Sequence, residues 1–399
     1  MQELRSPFTK EELLPQEERL EITRHKQEML IGIPKETQHQ EKRICLTPDA
    51  VAAITAHGHR IIMEKGAGSG SNFSDQEYNT AGAELTSDTA KVFSCPIILK
   101  VAPPCLEEIK MIKPQSLVMS AVQLKTRSKV YFEKLIAKKI TALGYEFIVD
   151  DEGRFTAVNA LSEISGIASV LIASELLVTG DNRTGQLFGN ITGVPPIEVV
   201  ILGAGTVGEF AAKTALGLGA NIKVFDNSIS KLKRLQNAMG QQVYTSTIQP
   251  KYLSKALKRC DVAIGALSGE DRAPVVVSQT MVENMKPGAV VIDISIDMGG
   301  CFETSEITSH DNPTFTKMGV THYCVPNLPS RYSKTASISL SNIFTPYLLN
   351  IADQGGIEHA IRSDKGLKCG IYLYHGILTN KSIGTWFDMP YSDVNLLIF

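Results

Sequence analysis

The run Val199-Val200-Ile201-Leu202-Gly203-Ala204-Gly205-Thr206-Val207-Gly208 decides the fold. Its apolar start reads as a strand buried on both faces, and it runs straight into G-x-G-x-x-G. A helical stretch follows from Val207 to Leu218, then a second strand, Asn221 to Phe225, ending at Asp226. Strand, glycine turn, helix, strand, acid is the order that holds a dinucleotide. Gly203 permits the tight turn, Gly205 lets backbone amides approach a pyrophosphate, and Gly208 lets the helix pack close. Thr206 and Val207 lead into the helix, whose N-terminus faces the phosphate charge. Asp226 suits a ribose 2′-OH and repels a 2′-phosphate, so the expected cofactor is NAD rather than NADP. A glycine turn alone can be merely steric. The flanking strand, the helix and the spaced acid decide for the nucleotide.

The chain has 399 residues, enough for two domains, with 43% apolar and 21% charged residues. A net charge of −2 gives no footing for nucleic acid or an anionic membrane. Seven cysteines without a C-x-x-C or a Cys/His cluster fit a reducing cytoplasm and no metal. The most apolar helix, Gly166 to Val178, is interrupted by Ser169, Ser174 and Glu175 and reads as too short to span a bilayer. The first 28 residues are highly charged and lack an apolar signal core. They read as a helical extension, Lys10 to Leu14 and Glu17 to Met29.

Elsewhere short apolar runs alternate with helical stretches. Strands are expected at Met29–Ile33, Arg60–Glu64, Pro96–Val101, Ser116–Val122 and Thr141–Tyr145. Helices are expected at Pro48–Ala56, Thr86–Phe93 and Ser128–Lys138. A second unit has strands at Glu198–Leu202, Ile222–Phe225, Gln242–Thr245, Val262–Leu267, Ala289–Ile294 and Thr321–Val325. A long helical pattern, Ala157 to Thr179, lies between the units. Gly180 to Gly193 reads as a loop, Ser337 to Leu349 as a helix, and the rest as a helical tail packing on the first unit. The expected fold is α/β: two Rossmann-like parallel-sheet domains separated by a cleft and joined by long helices. Residues 29–156 plus 334–399 form a substrate domain, and 157–333 a nucleotide domain.

Ligands of parallel sheets bind where the carboxyl ends of the strands emerge. The residues found there are Glu36, Glu41, Arg43, Lys100, Gln123 and Asp297. Arg43 reads either as a solvated loop arginine or as a carboxylate binder. Lys100 ends an apolar strand, a costly place for an ammonium unless it is paired. Asp297 fits either a turn cap or a group beside the nucleotide crevice, and Asp293 a structural acid. Glu36 and Glu41 read as partners of nearby cations rather than as groups that do chemistry.

Several blocks together resemble the alanine dehydrogenase family and its relative, the nucleotide domain of proton-translocating transhydrogenase. They are Ile31-Gly-Ile-Pro-Lys-Glu36, Glu41-Lys-Arg43, Gly66-Ala-Gly-Ser-Gly70, Leu99-Lys100-Val101 and Leu161-Ser162-Glu163. Val200 to Gly208, Met285-Lys-Pro-Gly288, Asp293 to Glu303 and Asn327-Leu328-Pro329 continue the series. Gly299 to Glu303 and Lys334-Thr335 lean toward alanine dehydrogenase. The resemblance implies NAD-dependent, reversible oxidative deamination of L-alanine to pyruvate and ammonia. It implies that Arg43 binds the substrate carboxylate, Lys100 the group on the α-carbon, and that Asp297 lies near the reacting centre. Ser162, Leu267, Ile294, Asn327 and Leu328 are implied along the nucleotide, beside the glycine turn and Asp226. A cytoplasmic homo-oligomer, a hexamer or dimer assembled through Ile164 to Leu177, is implied as well.

One departure stands out. The family pattern has a catalytic histidine where this chain has Gln123, followed by Leu124. Glutamine can hydrogen-bond a carbonyl but is no acid or base near neutral pH. His57 and His59, nearest in sequence, lie on the wrong side of the strand series. Proton transfer then falls to Asp297, with Lys100 able to shuttle a proton if its pKa falls. Three alternatives remain: a transhydrogenase-type NAD(H)-binding subunit, a saccharopine-type dehydrogenase, and a catalytically weakened NAD-binding protein.

Overall fold

The computed structural model describes residues 28–38, 40–180, 183–269 and 272–398. The helical reading of the N-terminal extension lies outside these residues, save that Glu28 and Met29 are not helical. The first sheet holds β1 (Leu30–Ile33), β2 (Arg60–Glu64), β3 (Glu84–Thr86), β4 (Ile97–Leu99), β5 (Leu117–Ser120) and β6 (Thr141–Gly144). They are parallel and lie in the order β3-β2-β1-β4-β5-β6. The second sheet holds β7 (Glu198–Leu202), β8 (Asn221–Phe225), β9 (Tyr244–Ser246), β10 (Val262–Gly265), β11 (Val290–Asp293), β12 (Thr314–Lys317) and β13 (Val320–Tyr323). Its order is β9-β8-β7-β10-β11-β13-β12. Both sheets therefore reverse direction at a switch point, β1/β4 in the first and β7/β10 in the second, where doubly wound folds bind ligands.

Neither sheet is wholly parallel, contrary to the sequence expectation. β12 runs antiparallel to β13, and the tail contributes β14 (Ile371–Tyr374) and β15 (Ile377–Leu378), with β14 antiparallel to β6. The tail thus joins the first sheet as a hairpin and is not simply helical. Both hairpins turn on two residues at positive φ, Met318-Gly319 and His375-Gly376. Methionine and histidine do not announce such a turn as Asn or Asp would. The expected helix from Thr86 begins only at Thr89, because Glu84–Thr86 is the edge strand β3 and Asp88 caps the helix with its carboxylate.

The spine helix Thr156–Leu177 is 22 residues long, close to the expected Ala157 to Thr179, and its apolar stretch is longer than the Gly166 to Val178 read as too short to span a bilayer. By length and composition it could cross a membrane, yet half of that apolar window is buried inside the molecule. It packs on the nucleotide helix Thr206–Gly217 and on the return helix Ser333–Asp353. Gly166 makes the first contact close: a Cβ there would stand 2.5 Å from the Val207 carbonyl oxygen. The return helix starts four residues before the expected Ser337, and its Ser337 and Ser341 hydroxyls accept the Ile44 and Thr47 N–H groups at 2.8 and 3.0 Å. The loop that carries Arg43 is thereby fixed.

Candidate active site

The carboxyl ends of the two sheets face one another across the cleft. Contacts from the first unit to the second run from Gln40 to Asp311, from Lys42 N–H to Ser330, and from Lys125 to Met298. Arg43, only 4% exposed, follows β1. Its Nε and Nη2 donate to the two carboxylate oxygens of Glu41 at 2.8 and 2.6 Å. Burial pushes the Glu41 carboxyl up, but the guanidinium and its hydrogen bonds outweigh this and hold it below its usual range. A buried arginine paired in this way keeps its charge, and among the described residues Glu41 takes only Nε and Nη2, so the Nη1 side can meet a second carboxylate. The solvated-loop reading of Arg43 is excluded.

Lys100 follows β4, and its ammonium lies 3.0 Å from Glu108 Oε1 and 3.4 Å from Glu36 Oε2. Glu36 follows β1, so this pair straddles the first switch point. Burial alone would lower the lysine, but Glu36 and Glu108 outweigh it and leave the ammonium raised. The condition that its pKa falls is therefore not met, because an ammonium between two carboxylates is stabilised, and Lys100 can pass a proton on only by giving one to a carboxylate partner as it takes another. Burial lifts Glu36 to about 7 in spite of Lys100.

On the nucleotide side, Gly203 has φ +115° and a Cβ would meet the Ala266 carbonyl oxygen at 2.3 Å, beside Leu267. A Cβ at Gly208 would stand 1.9 Å from the Gly203 carbonyl oxygen, so the helix packs on the turn itself. A Cβ at Gly205 meets nothing within 4 Å, which leaves open space at the mouth of a 12-residue helix. Asp226 accepts the Ala204 N–H and the Ser228 N–H, both at 2.7 Å, and so ties the turn to the end of β8. Open space, exposed helix amides and a fixed acid at the second strand fit NAD. Thr206 donates to Asn159 of the spine helix, and Ser162 lies one turn further along that face. Leu328 is 2% exposed and belongs to the second core, against which Ile294 packs.

Asp297 stands on the turn after β11 and accepts the Asn327 N–H at 3.2 Å. Asn327 in turn donates its side-chain amide to Glu41 Oε2 at 3.0 Å. The chain Arg43–Glu41–Asn327–Asp297 therefore crosses the cleft without a break. Asp297 is exposed, yet desolvation by the groups around it raises its carboxyl to about 6 against the pull of the Asn327 N–H and Arg43. Asp293, by contrast, is buried and accepts the Cys301 N–H and the Ser305 hydroxyl, the structural part expected of it.

The match to known proteins is broad. The model of the alanine dehydrogenase/PNT N-terminal domain matches residues 32–168 and that of the C-terminal domain residues 169–381. The chain belongs to the alanine dehydrogenase/PNT family. It is 37% identical over 367 residues to an alanine dehydrogenase of Mycolicibacterium smegmatis, covering 92% of this chain and 98% of the relative. It is likewise 37% identical over 368 residues to alanine dehydrogenase 2 of Staphylococcus aureus, with the same coverage. A solved L-alanine dehydrogenase superposes with a TM-score of 0.84 at 33% identity, over 90% of this chain and 99% of that one. A transhydrogenase from Sinorhizobium meliloti shares the fold, with a TM-score of 0.75 at 22% identity over 88% and 99%. The domain models of the alanine dehydrogenase/PNT family meet inside the spine helix, whereas the sheets place β14 with the first unit.

Within this alanine dehydrogenase/PNT chain, Gln123 sits after β5 at positive φ (+49°). Its backbone N–H and that of Val122 point at the Glu146 carboxylate, and its side-chain oxygen accepts from Gln38 at 3.2 Å. His57 and His59 lie at the amino ends of the strands, away from the cleft, as the sequence implied. The histidine that does come near is His310, beside Asn327, with its imidazole lowered by burial. Sequence reasoning missed it, together with Glu108, Glu146 and Asn159. Among these only Glu108 had a signal: it lies three residues after Cys105 at a helix start, the spacing of a capping box.

Proposed function

We propose that this NAD-dependent amino-acid dehydrogenase acts on L-alanine, converting it reversibly to pyruvate and ammonia. The observation that carries the reading is the cleft itself. A buried arginine paired to Glu41 is linked through Asn327 to a carboxyl raised toward neutrality on the second unit, the unit that carries the glycine turn, and a buried lysine stands at the switch point of the first sheet.

The residues divide the work as follows. Arg43 takes the substrate carboxylate on its free edge and fixes the α-carbon. NAD, held at the glycine turn and Asp226, would supply the acceptor for the hydride of that carbon. Lys100 presents N–H groups to the oxygen that water brings to the α-carbon. Asp297, with a raised carboxyl, takes the proton of that water and returns it to the departing nitrogen. Closure of the two units around this chain of contacts excludes other water. Gln123 orients by hydrogen bonding and moves no proton.

The coarser context supports two further readings. The described cysteines are all free, which fits a reducing cytoplasm. Ile167, Leu171 and Val178 of the spine region and Leu187, Ile191 and Val194 of the following loop are exposed apolar residues. Such a patch fits a homo-oligomer, a dimer or hexamer. Light scattering on the purified protein tests this, and a monomer at micromolar concentration refutes it.

Gln123 favours a second reading, an NAD(H)-binding protein that does not turn over. Purified protein mixed with NAD and L-alanine separates the two. The first reading expects NADH formation, and the second expects tight NADH binding with no turnover on alanine, glycine, serine, lysine or saccharopine.

A further inference from the structure

We propose that Glu36 takes the proton that leaves the substrate oxygen, through Lys100, and so stands in for the histidine this chain lacks. The inference rests on the dehydrogenase reading above. Its basis is the inequality of the two carboxylates around Lys100. Glu108 accepts three hydrogen bonds, from Thr37 Oγ1 at 2.9 Å, Lys100 Nζ at 3.0 Å and the Cys105 N–H at 2.7 Å. It is a fixed anchor. Glu36 uses Oε1 to accept the Val101 N–H at 2.6 Å. Its Oε2 is buried, has no hydrogen-bond partner, and lies 3.4 Å from Lys100 Nζ. The Glu36 side chain is 8% exposed. A buried carboxylate oxygen with an ion-pair contact at 3.4 Å but no hydrogen bond is costly to keep charged, and taking up a proton relieves that cost. Its place at the switch point, between the ends of β1 and β4, puts it against the Lys100 ammonium.

The step balances. Asp297 holds the proton of the water that added to the iminium carbon. As the carbinolamine collapses, Lys100 first gives one N–H proton to Glu36 Oε2, where an O–H bond forms, and the lone pair this frees on Nζ takes the proton of the substrate O–H as that bond breaks. The electron pair of the substrate O–H becomes the C=O bond. The C–N pair leaves with the nitrogen, which takes the proton from Asp297. Lys100 is an ammonium before and after, in keeping with its raised pKa. Glu36 ends protonated and returns its proton to water when the cleft opens. In the reverse direction it is the donor.

The groups around Glu36 are Lys100 on the β4 end, Glu108 on the helix Leu106–Met111, and Glu41, Arg43 and Cys45 on the loop after β1. Burial outweighs Lys100, and the like charges of Glu41 and Glu108 add to it, to give a value of about 7. A group of that strength accepts and releases protons at neutral pH. Only its ionised form can accept, so kcat for alanine oxidation rises as pH passes upward through about 7.

The test compares Glu36→Gln with Glu108→Gln and Glu36→Asp in the full-length protein, by kcat against pH and by infrared titration. Glu36→Gln is expected to lose kcat by roughly a hundredfold, with NADH affinity and KM for alanine within about threefold. Its pH profile loses the limb near 7. Glu108→Gln keeps that limb, and Glu36→Asp restores it. The infrared spectrum of the unaltered protein is expected to show a carboxylic-acid C=O stretch that titrates near 7 and is missing in Glu36→Gln. A Glu36→Gln protein with kcat within threefold of the original, or with the limb or the infrared band retained, overturns the relay. If Glu36→Gln does not fold, displacement of the band in Glu36→Asp supports the relay, and an unmoved band overturns it. The infrared result is independent of substrate. Absence of alanine turnover in the unaltered protein therefore overturns the substrate reading, while the relay is judged on its own.

Discussion

At the scale of single residues, charge placement determines what each group does. Arg43 is locked by Glu41, so in the proposed mechanism its loss removes a pair of charge-assisted hydrogen bonds to the substrate, and it leaves Glu41 buried without its cation. Arg43→Ala is expected to lower kcat/KM for alanine by about 3 kcal/mol, roughly a hundredfold or more. NADH affinity, read by fluorescence titration, stays within about threefold. In the proposed mechanism Asp297 acts as a base in the oxidative direction and must be ionised first. Its carboxyl is raised to about 6, so kcat falls as pH drops through that value, and the limb disappears in Asp297→Asn together with nearly all turnover. Near-normal turnover in Asp297→Asn would remove it from the reaction. Gln123 has only its orienting hydrogen bonds to lose. Gln123→Ala is therefore expected to cost less than tenfold in kcat, and a loss of a thousandfold would show that the glutamine does more than orient.

At the scale of elements, close backbone approach sets the limits. Gly166 lets the spine helix lie against the nucleotide helix, where a Cβ would meet Val207 O at 2.5 Å and Phe210 Cβ at 2.8 Å. Gly166→Ala is expected to cost about 1–3 kcal/mol of stability by overpacking. It also weakens NADH binding, since Val207 opens the helix that faces the phosphates. A thermal melt and an NADH titration check both, and an unchanged melting temperature would contradict this account of the packing. The same scale shows what the sequence could reveal. β2, β7 and the helix Pro48–Ala56 lie where periodicity and capping put them, since buried strands and a Pro at the first helical turn are local signals. Arg43, Lys100, Gln123, Asp226 and Asp297 were legible because each follows a strand, and strand ends are what a parallel sheet exposes. The antiparallel hairpins were not legible, because Met318-Gly319 and His375-Gly376 adopt the turn without its usual residues. Glu146 and His310 were hidden because their partners, Gln123 and Asn327, are brought to them only by tertiary packing.

At the scale of the whole molecule, the two units are coupled through the path by which substrate is held. Glu41 carries Arg43 on one side and accepts from Asn327 on the other, and the backbone of Asn327 donates to Asp297. Binding on either unit therefore favours the closed arrangement that the other ligand needs. Asn327→Ala breaks the side-chain link while leaving the backbone donor to Asp297. It is expected to reduce the gain in pyruvate affinity on NADH binding by about 1–2 kcal/mol, roughly five- to thirtyfold. Calorimetric titration with and without NADH reads this directly, and equal coupling in both proteins would refute the path.

The most direct test of the central claim is NADH formation by the purified protein with NAD and L-alanine, run beside Arg43→Ala and a panel of glycine, L-serine, L-lysine and L-saccharopine. The account predicts turnover that prefers alanine and collapses in Arg43→Ala, achieved with glutamine at position 123. Tight NADH binding with no turnover on any amino acid would contradict it.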